Sequence, residues 1–266
     1  MNKLCTIQQA VALIPDGACV GLGGNTLNRA PMAAVFEMVR QGKKHLHLVK
    51  TAGAMDVDAL CMGGCADTVD AGFISYESQY GLAQRYRIGV QKGLIKANEH
   101  ACYTVISALR AASYGIPFMP VRGLKVSDLR KVCDYFADVT DPFTGETLAA
   151  VKAIQPDFAI VHAQVADSQG NALIYGPKYE DVLLTRAAKK VIVTAERIVS
   201  DGWFAGQEQK ADIPHFMVAA VVQARKGAAP CACYGHYDPD DAEIKKFLVL
   251  KDEDELKSFL QGRREG

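Results

Sequence analysis

Val20-Gly21-Leu22-Gly23-Gly24-Asn25, continued after three residues by Arg29-Ala30-Pro31, is the stretch on which the fold turns. Ala18 to Leu22 is a short apolar run suited to a buried strand, and Gly23-Gly24 ends it. Ala30 to Gln41 then carries apolar residues at Val35, Met38 and Val39, behind a proline fitted to a first helical turn, and Gly42 is a natural stop. The order strand, glycine loop, helix is one half of a parallel α/β unit.

Upstream, Thr6 to Ile14 has helical spacing and Pro15-Asp16-Gly17 makes a turn before the strand. Downstream the pattern recurs. Strands are predicted over His45 to Val49 and Ala66 to Ile74, with helices over Val57 to Met62, Leu82 to Lys92 and His100 to Tyr114. Phe118 to Val121 reads as a strand after Gly115-Ile116-Pro117, and Asp138 to Glu146 as a loop. Phe158 to Val165, Lys190 to Ala195 and Val218 to Gln223 complete the strands; Asp181 to Ala188 and Asp252 to Gln261 read as helices, and Arg263 to Gly266 as a frayed tail. No low-complexity linker divides the chain. The expectation is one α/β domain over residues 1–266, an open and mostly parallel sheet flanked by helices.

Composition narrows the function. Thirty basic and thirty acidic residues leave a net charge of zero, and pairs such as Lys43-Lys44 or Lys189-Lys190 cannot neutralise the phosphates a nucleic acid presents. No apolar run reaches the roughly 18 residues needed to span a bilayer, so no membrane association is expected. Met1 to Ile14 lacks the pattern of a secretory signal, which makes the eight cysteines reduced thiols of a cytoplasmic protein. Cys61 with Cys65 and Cys231 with Cys233 do not have the Cys-x-x-Cys spacing of zinc sites, so no metal is expected.

Three segments have chemistry to offer. The glycine loop stands where open α/β sheets bind ligands, and amides of Gly23 and Gly24 could face an anion or oxyanion with Arg29 adding a charge. Tight turning is the other use of such glycines. Thr26 breaks the dinucleotide pattern, and no Gly-Lys-Ser/Thr phosphate loop occurs. Ser75-Tyr76-Glu77-Ser78-Gln79-Tyr80 crowds polar groups at another strand exit: Glu77 is a candidate acid or base and Ser78 a hydrogen-bonding group, against the plainer reading of a capping loop. His162-Ala163-Gln164 closes an apolar strand, where a histidine is more often structural than a base. Asp167 to Asn171 has turn chemistry, and no serine sits in a Gly-x-Ser-x-Gly elbow.

Taken in order, several motifs resemble the A chain of class I CoA-transferases of the glutaconate CoA-transferase type. They are Gly23-Gly24 with Arg29-x-Pro31, Ala33 to Glu37 with Arg40-Gln41-Gly42, Gly115 to Val121, His162-Ala163-Gln164, Val193 to Glu196, Ile198 to Asp201 and Cys233 to Asp238. The resemblance implies two homologous open-sheet subunits with the active site between them, a heterodimer or larger hetero-oligomer, and a catalytic glutamate on the B subunit. That glutamate attacks an acyl-CoA to give an acyl anhydride and then a glutamyl-CoA thioester. This chain has no Glu-Asn-Gly of the kind that surrounds the nucleophile. Its implied contribution is Gly23, Gly24, Asn25, Arg29, Gln79, His162 and Gln164 around the acyl group, with Ser78 and Glu77 in support; coenzyme A is a substrate, and no cofactor is held permanently. Asn25 stands where many relatives carry phenylalanine, and Phe73 to Ser78 also resembles a branch that hydrolyses or ring-opens CoA thioesters. Hydrolysis or decarboxylation on the same scaffold, and a non-catalytic ligand sensor, are the alternatives.

Overall fold

The structure is a computed structural model that describes residues 2–207 and 210–262. The tail from Arg263 to Gly266 lies outside the described residues. The strands are β1 Cys19–Leu22, β2 Leu46–Gly53, β3 Ala66–Ile74, β4 Lys96–Glu99, β5 Phe118–Val121, β6 Phe136–Thr140, β7 Thr147–Lys152, β8 Phe158–Asp167, β9 Ala172–Leu173, β10 Lys190–Val199 and β11 Val218–Gln223. The helices are α1 Ile7–Ala12, α2 Met32–Arg40, α3 Met55–Met62, α4 Glu77–Tyr80, α5 Gln84–Gln91, α6 Cys102–Ser113, α7 Leu129–Val132, α8 Asp181–Ala187, α9 Asp241–Leu248 and α10 Glu253–Gln261.

The main sheet has eight strands in the order β11-β10-β8-β1-β2-β3-β4, with the short β9 antiparallel on β8 and every other pairing parallel. It is the open, mostly parallel sheet expected from the alternation. Its two faces bury two apolar clusters. In β8, Phe158 and Ile160 join the cluster under α1, α2, α3, α9 and α10, while Ala159, Val161 and Ala163 join the one under α6 and α8. This is the period of two that a strand imposes, with both faces covered.

Phe118 to Val121 is a strand as expected, yet it does not enter the main sheet. It forms a separate three-stranded antiparallel sheet, β5-β7-β6, whose Val121, Ala149 and Val151 are buried in the α6 cluster. The loop expected over Asp138 to Glu146 is corrected here: β6 runs to Thr140, and the turn is confined to residues 141–146, where Asp141 donates its N–H to Glu146 O. Residues of β6 are mostly exposed, so the alternation that would announce it in the sequence is weak. Strands β4, β7 and β9 and helix α9 are likewise absent from the sequence-based expectation.

β1 lies between β8 on one side and β2 on the other. The chain leaves β1 toward β2, β3 and β4, and later strands are added on the opposite side, so the connections diverge there. In an open parallel sheet that point, at the carboxyl ends of the strands, is where a crevice forms. The glycine loop after β1 and the Ser75 segment after β3 both stand on this edge.

Candidate functional site

The glycine loop is held by long-range hydrogen bonds. Gly23 donates its N–H to Ile160 O (2.8 Å), Gly24 to Asp181 Oδ1 (2.7 Å), and Thr26 to Ala52 O (2.9 Å). Asn25 and Asn28 exchange backbone hydrogen bonds, each 2.8 Å, closing a tight hairpin strapped to Ala232 through Leu27 and Arg29. Gly24 has φ +74°, and a Cβ there would lie 2.4 Å from Arg29 O; at Gly23 it would meet Val161 Cγ1 at 2.8 Å. Only glycine fits either position. The amides expected to cradle an anion are therefore both donated within the chain.

Arg29 is buried as well. Its guanidinium pairs with the Asp181 carboxylate and donates to His162 O (3.1 Å) and Pro177 O (3.0 Å), with Tyr179 stacked 5.9 Å away. At 2% exposure it is no free charge for a substrate. It clamps the loop to the start of α8. A second buried cation lies on the other side: Lys50 reaches the carbonyls of Gly23 and Gly24 and pairs with Asp56 at 3.0 Å. Asp56 in turn accepts from the N–H groups of Ala54 and Val57, each at 2.9 Å, at the start of α3. Both faces of the two peptide units are thus committed, N–H on one side and C=O on the other.

The segment after β3 is the part that stays open. Tyr76 is fully buried and donates to Asp58 Oδ2 (3.1 Å), and Ser75 is held to Gly53 and Gly81. Those anchors turn the single helical turn α4 outward. Glu77, with φ +62°, Ser78 and Gln79 are exposed. A non-glycine residue in the left-handed region is held there by its surroundings. Gln79 donates to Tyr80 OH (3.1 Å), whereas the side chains of Asn25, Glu77 and Ser78 make no hydrogen bond among the described residues. These are the polar groups the edge offers.

His162 and Gln164 sit inside. Gln164 accepts from Tyr175 N (3.0 Å) and donates to Tyr175 O (3.3 Å) and Tyr234 O (3.1 Å), fixing two loops of the edge. His162 bonds to Thr194 Oγ1 through Nδ1 (2.8 Å) and to Glu196 Oε1 through Nε2 (2.9 Å). A carboxylate only accepts, so Nε2 carries the proton and Nδ1 accepts from the threonine hydroxyl. Burial depresses the His162 pKa against the opposing pull of Glu196. Burial pushes the Glu196 carboxyl up, but hydrogen bonds from His162 and Tyr237 together outweigh it and hold the group below its ordinary value. Glu196 also accepts from Tyr237 OH (2.5 Å), Lys226 N (2.7 Å) and Gly227 N (3.2 Å).

His162, Glu196 and Cys233 place one ligand-type atom each within 4.8 Å of one another. Both ring nitrogens and both carboxylate oxygens already have hydrogen-bond partners, and burial with the Glu196 charge pushes the Cys233 thiol up to about 12. With its nitrogens and oxygens already engaged, the donor set suits a hydrogen-bonded network. All eight cysteines are free thiols.

The structure thus brings Gly23, Gly24, Asn25 and Arg29 to one loop, with Glu77, Ser78 and Gln79 on the same sheet edge and His162 and Gln164 beneath it. Sequence reasoning gave no role to Lys50, Asp181, Glu196 or Tyr237. A lone lysine inside the apolar run of β2 was the available signal, since a charge there must be paired. Asp181 had none beyond an acid at a helix start.

A model of the coenzyme A transferase family matches residues 5–224. The A chain of glutaconate CoA-transferase from Acidaminococcus fermentans is 34% identical over 98% of this chain and 87% of its own length. The crystal structure of that enzyme superposes with a TM-score of 0.91, at 33% identity over 98% of this chain and 88% of its own. The A chain of 3-oxoadipate CoA-transferase from Pseudomonas knackmussii is 35% identical over 91% of this chain and 86% of that protein. The structure of a variant of the decarboxylase AibA/AibB matches at TM-score 0.89 and 35% identity, over 99% of this chain and all of the other.

Proposed function

The chain belongs to the coenzyme A transferase family, and from that premise we propose that it is the A-type half of a two-subunit enzyme moving coenzyme A between an acyl-CoA and a mono- or dicarboxylic acid. The observation that carries the reading is near full-length similarity to two transferase A chains. A homologous B subunit supplies the attacking glutamate. Its carboxylate displaces the CoA thiolate from the thioester to give an anhydride; the thiolate then attacks the glutamyl carbonyl, releasing the first acid and leaving glutamyl-CoA for the second.

In this reading the present chain, acting as one α/β domain, positions the acyl group. Asn25 and Ser78 are the hydrogen-bonding side chains that face it, with Glu77 and Gln79 beside them. Gly23, Gly24, Arg29, His162 and Gln164 keep that edge rigid from below. This differs from an amide cradle, because the Gly23 and Gly24 N–H groups are already engaged. Its eight free thiols suit a cytoplasmic location. No helix among the described residues is long and apolar enough to cross a membrane.

Purified chain is mixed with the homologous B chain, an acyl-CoA donor and a panel of free acids. Exchange of CoA between acids is expected only with both chains present. Activity of this chain alone would defeat the reading, as would consumption of the donor by water or by decarboxylation with no acid accepting CoA. The likeness to a decarboxylase structure supports that second reading, and a B chain lacking the glutamate would select it.

A further inference from the structure

Away from the glycine loop, an open groove of about 1180 Å³ lies between the amino-terminal segment, α2 and the loop that comes after β11. Its apolar floor includes Leu4, Ile7 and Phe36. Around it stand Arg40, Arg197, Arg225 and Lys226, against one acid, Glu196. The chain as a whole has no net charge, so this face concentrates positive charge that is compensated elsewhere. Arg40 is engaged with Glu37 and with Leu260 O. The side chains of Arg197, Arg225 and Lys226 have no hydrogen-bond or ion-pair partner among the described residues, and the Glu196 oxygens are occupied by His162, Tyr237 and two backbone amides.

The backbone that carries Lys226 is fixed. Glu196 holds the N–H groups of Lys226 and Gly227, and Lys226 is kept at φ +53°. A Cβ on Gly227 would lie 2.6 Å from His162 Cε1, so the loop has one seating. Arg197 comes directly after Glu196 in β10. One buried carboxylate thus seats the loop that carries Arg225 and Lys226, which lowers the ordering cost of binding an anion there. The inner wall of the groove, Glu196 and Gly227, backs onto His162, whose carbonyl is held by Arg29 of the glycine loop.

We infer that this groove binds the phosphate-bearing end of a coenzyme A thioester, its apolar floor taking the base and Arg197, Arg225 and Lys226 taking the phosphates. The inference rests on the reading of the chain as a CoA-handling subunit. It assigns part of CoA recognition to the half of the enzyme that lacks the nucleophile.

The test is titration of the complex of this chain and the homologous B subunit with adenosine 3′,5′-bisphosphate, a probe that needs no turnover. Binding that weakens as salt rises is expected, with Arg197→Glu and Arg225→Glu each raising Kd about tenfold or more, on the scale of one charge-assisted contact. The KM for acyl-CoA should rise with them while kcat holds. Arg197→Gln with Arg225→Gln, and protection of the arginines from phenylglyoxal by the bisphosphate, serve if charge reversal disturbs folding. Equal binding by the variants overturns the inference, as does equal competition by inorganic phosphate. Loss of B-subunit recruitment in the variants, with bisphosphate binding intact, would make the groove an interface between the two chains instead. Bisphosphate binding that the variants abolish, in a complex that transfers CoA to no acid, would sink the transferase reading and leave the groove standing.

Discussion

Lys50 and Asp56 form an ion pair at 3.0 Å with side chains 1% and 0% exposed, directly against the carbonyls of Gly23 and Gly24. Removing one member of a fully buried pair leaves an uncompensated charge, a loss of about 3–5 kcal/mol. Lys50→Met is expected to destabilise the fold by that order in urea unfolding. A loss below about 1 kcal/mol would mean that water or another cation reaches Asp56.

Gly24 and Gly17 both adopt positive φ, +74° and +78°, but a Cβ at Gly17 meets nothing within 4 Å while one at Gly24 meets Arg29 O at 2.4 Å. Gly17→Ala should cost about 1 kcal/mol, the backbone penalty alone. Gly24→Ala adds a clash with main chain and should cost about 2 kcal/mol more while displacing the loop. Exchange activity of the assembled enzyme should then fall by about a hundredfold, the scale of a small misplacement of a positioned group. Similar unfolding midpoints for the two variants would refute the steric account.

Arg29 spreads its fork over Asp181, His162 O and Pro177 O. A lysine has the charge without the planar geometry. Arg29→Lys should therefore retain folding but lose about 2 kcal/mol, with Arg29→Met losing more because Asp181 is left alone. Equal stability of the arginine and lysine forms in thermal unfolding would show that the fork is unused.

Asp58 and His162 respond to acid in opposite senses. Burial pushes the Asp58 carboxyl up from 3.8 to about 6. The folded state therefore holds this proton more tightly than the unfolded chain. The stability it contributes is complete below pH 3.8 and lost as pH rises through about 6. For His162 and His100 burial lowers the pKa below 6.5, so stability present above pH 6.5 is lost as pH falls through the folded value. Asp58→Asn, which keeps an acceptor for the Arg85 and Tyr86 amides, should gain on the order of 2 kcal/mol at pH 7.5 and nothing near pH 4. Its loss of stability on acidification should be the steeper of the two. Urea midpoints across pH 4 to 8 read both effects, and a variant whose advantage is constant with pH would contradict them.

Much of the architecture is written locally. Apolar runs ended by Gly23-Gly24 or by Ser75, and helical spacing in Ala30 to Gln41, suffice to read a parallel α/β sheet, because period and turn chemistry act within a few residues. β6 escapes because its residues are mostly exposed. β5 is legible as a strand but not as a member of another sheet, since its partner β7 begins 26 residues later and nothing local specifies that pairing.

The sheet type, the place of the glycine loop on it and the family resemblance are all contained in the order of residues, because each depends on short-range pattern or motif order. What those residues do was set by contacts between distant parts of the chain. Arg29 meets Asp181 across 152 positions, Gly24 donates to the same carboxylate across 157, and His162 finds Glu196 across 34. Whether an amide or a guanidinium is free depends on such partners. A buried polar group must be satisfied by whatever the fold brings within hydrogen-bonding reach, and a one-dimensional reading has no access to that distance.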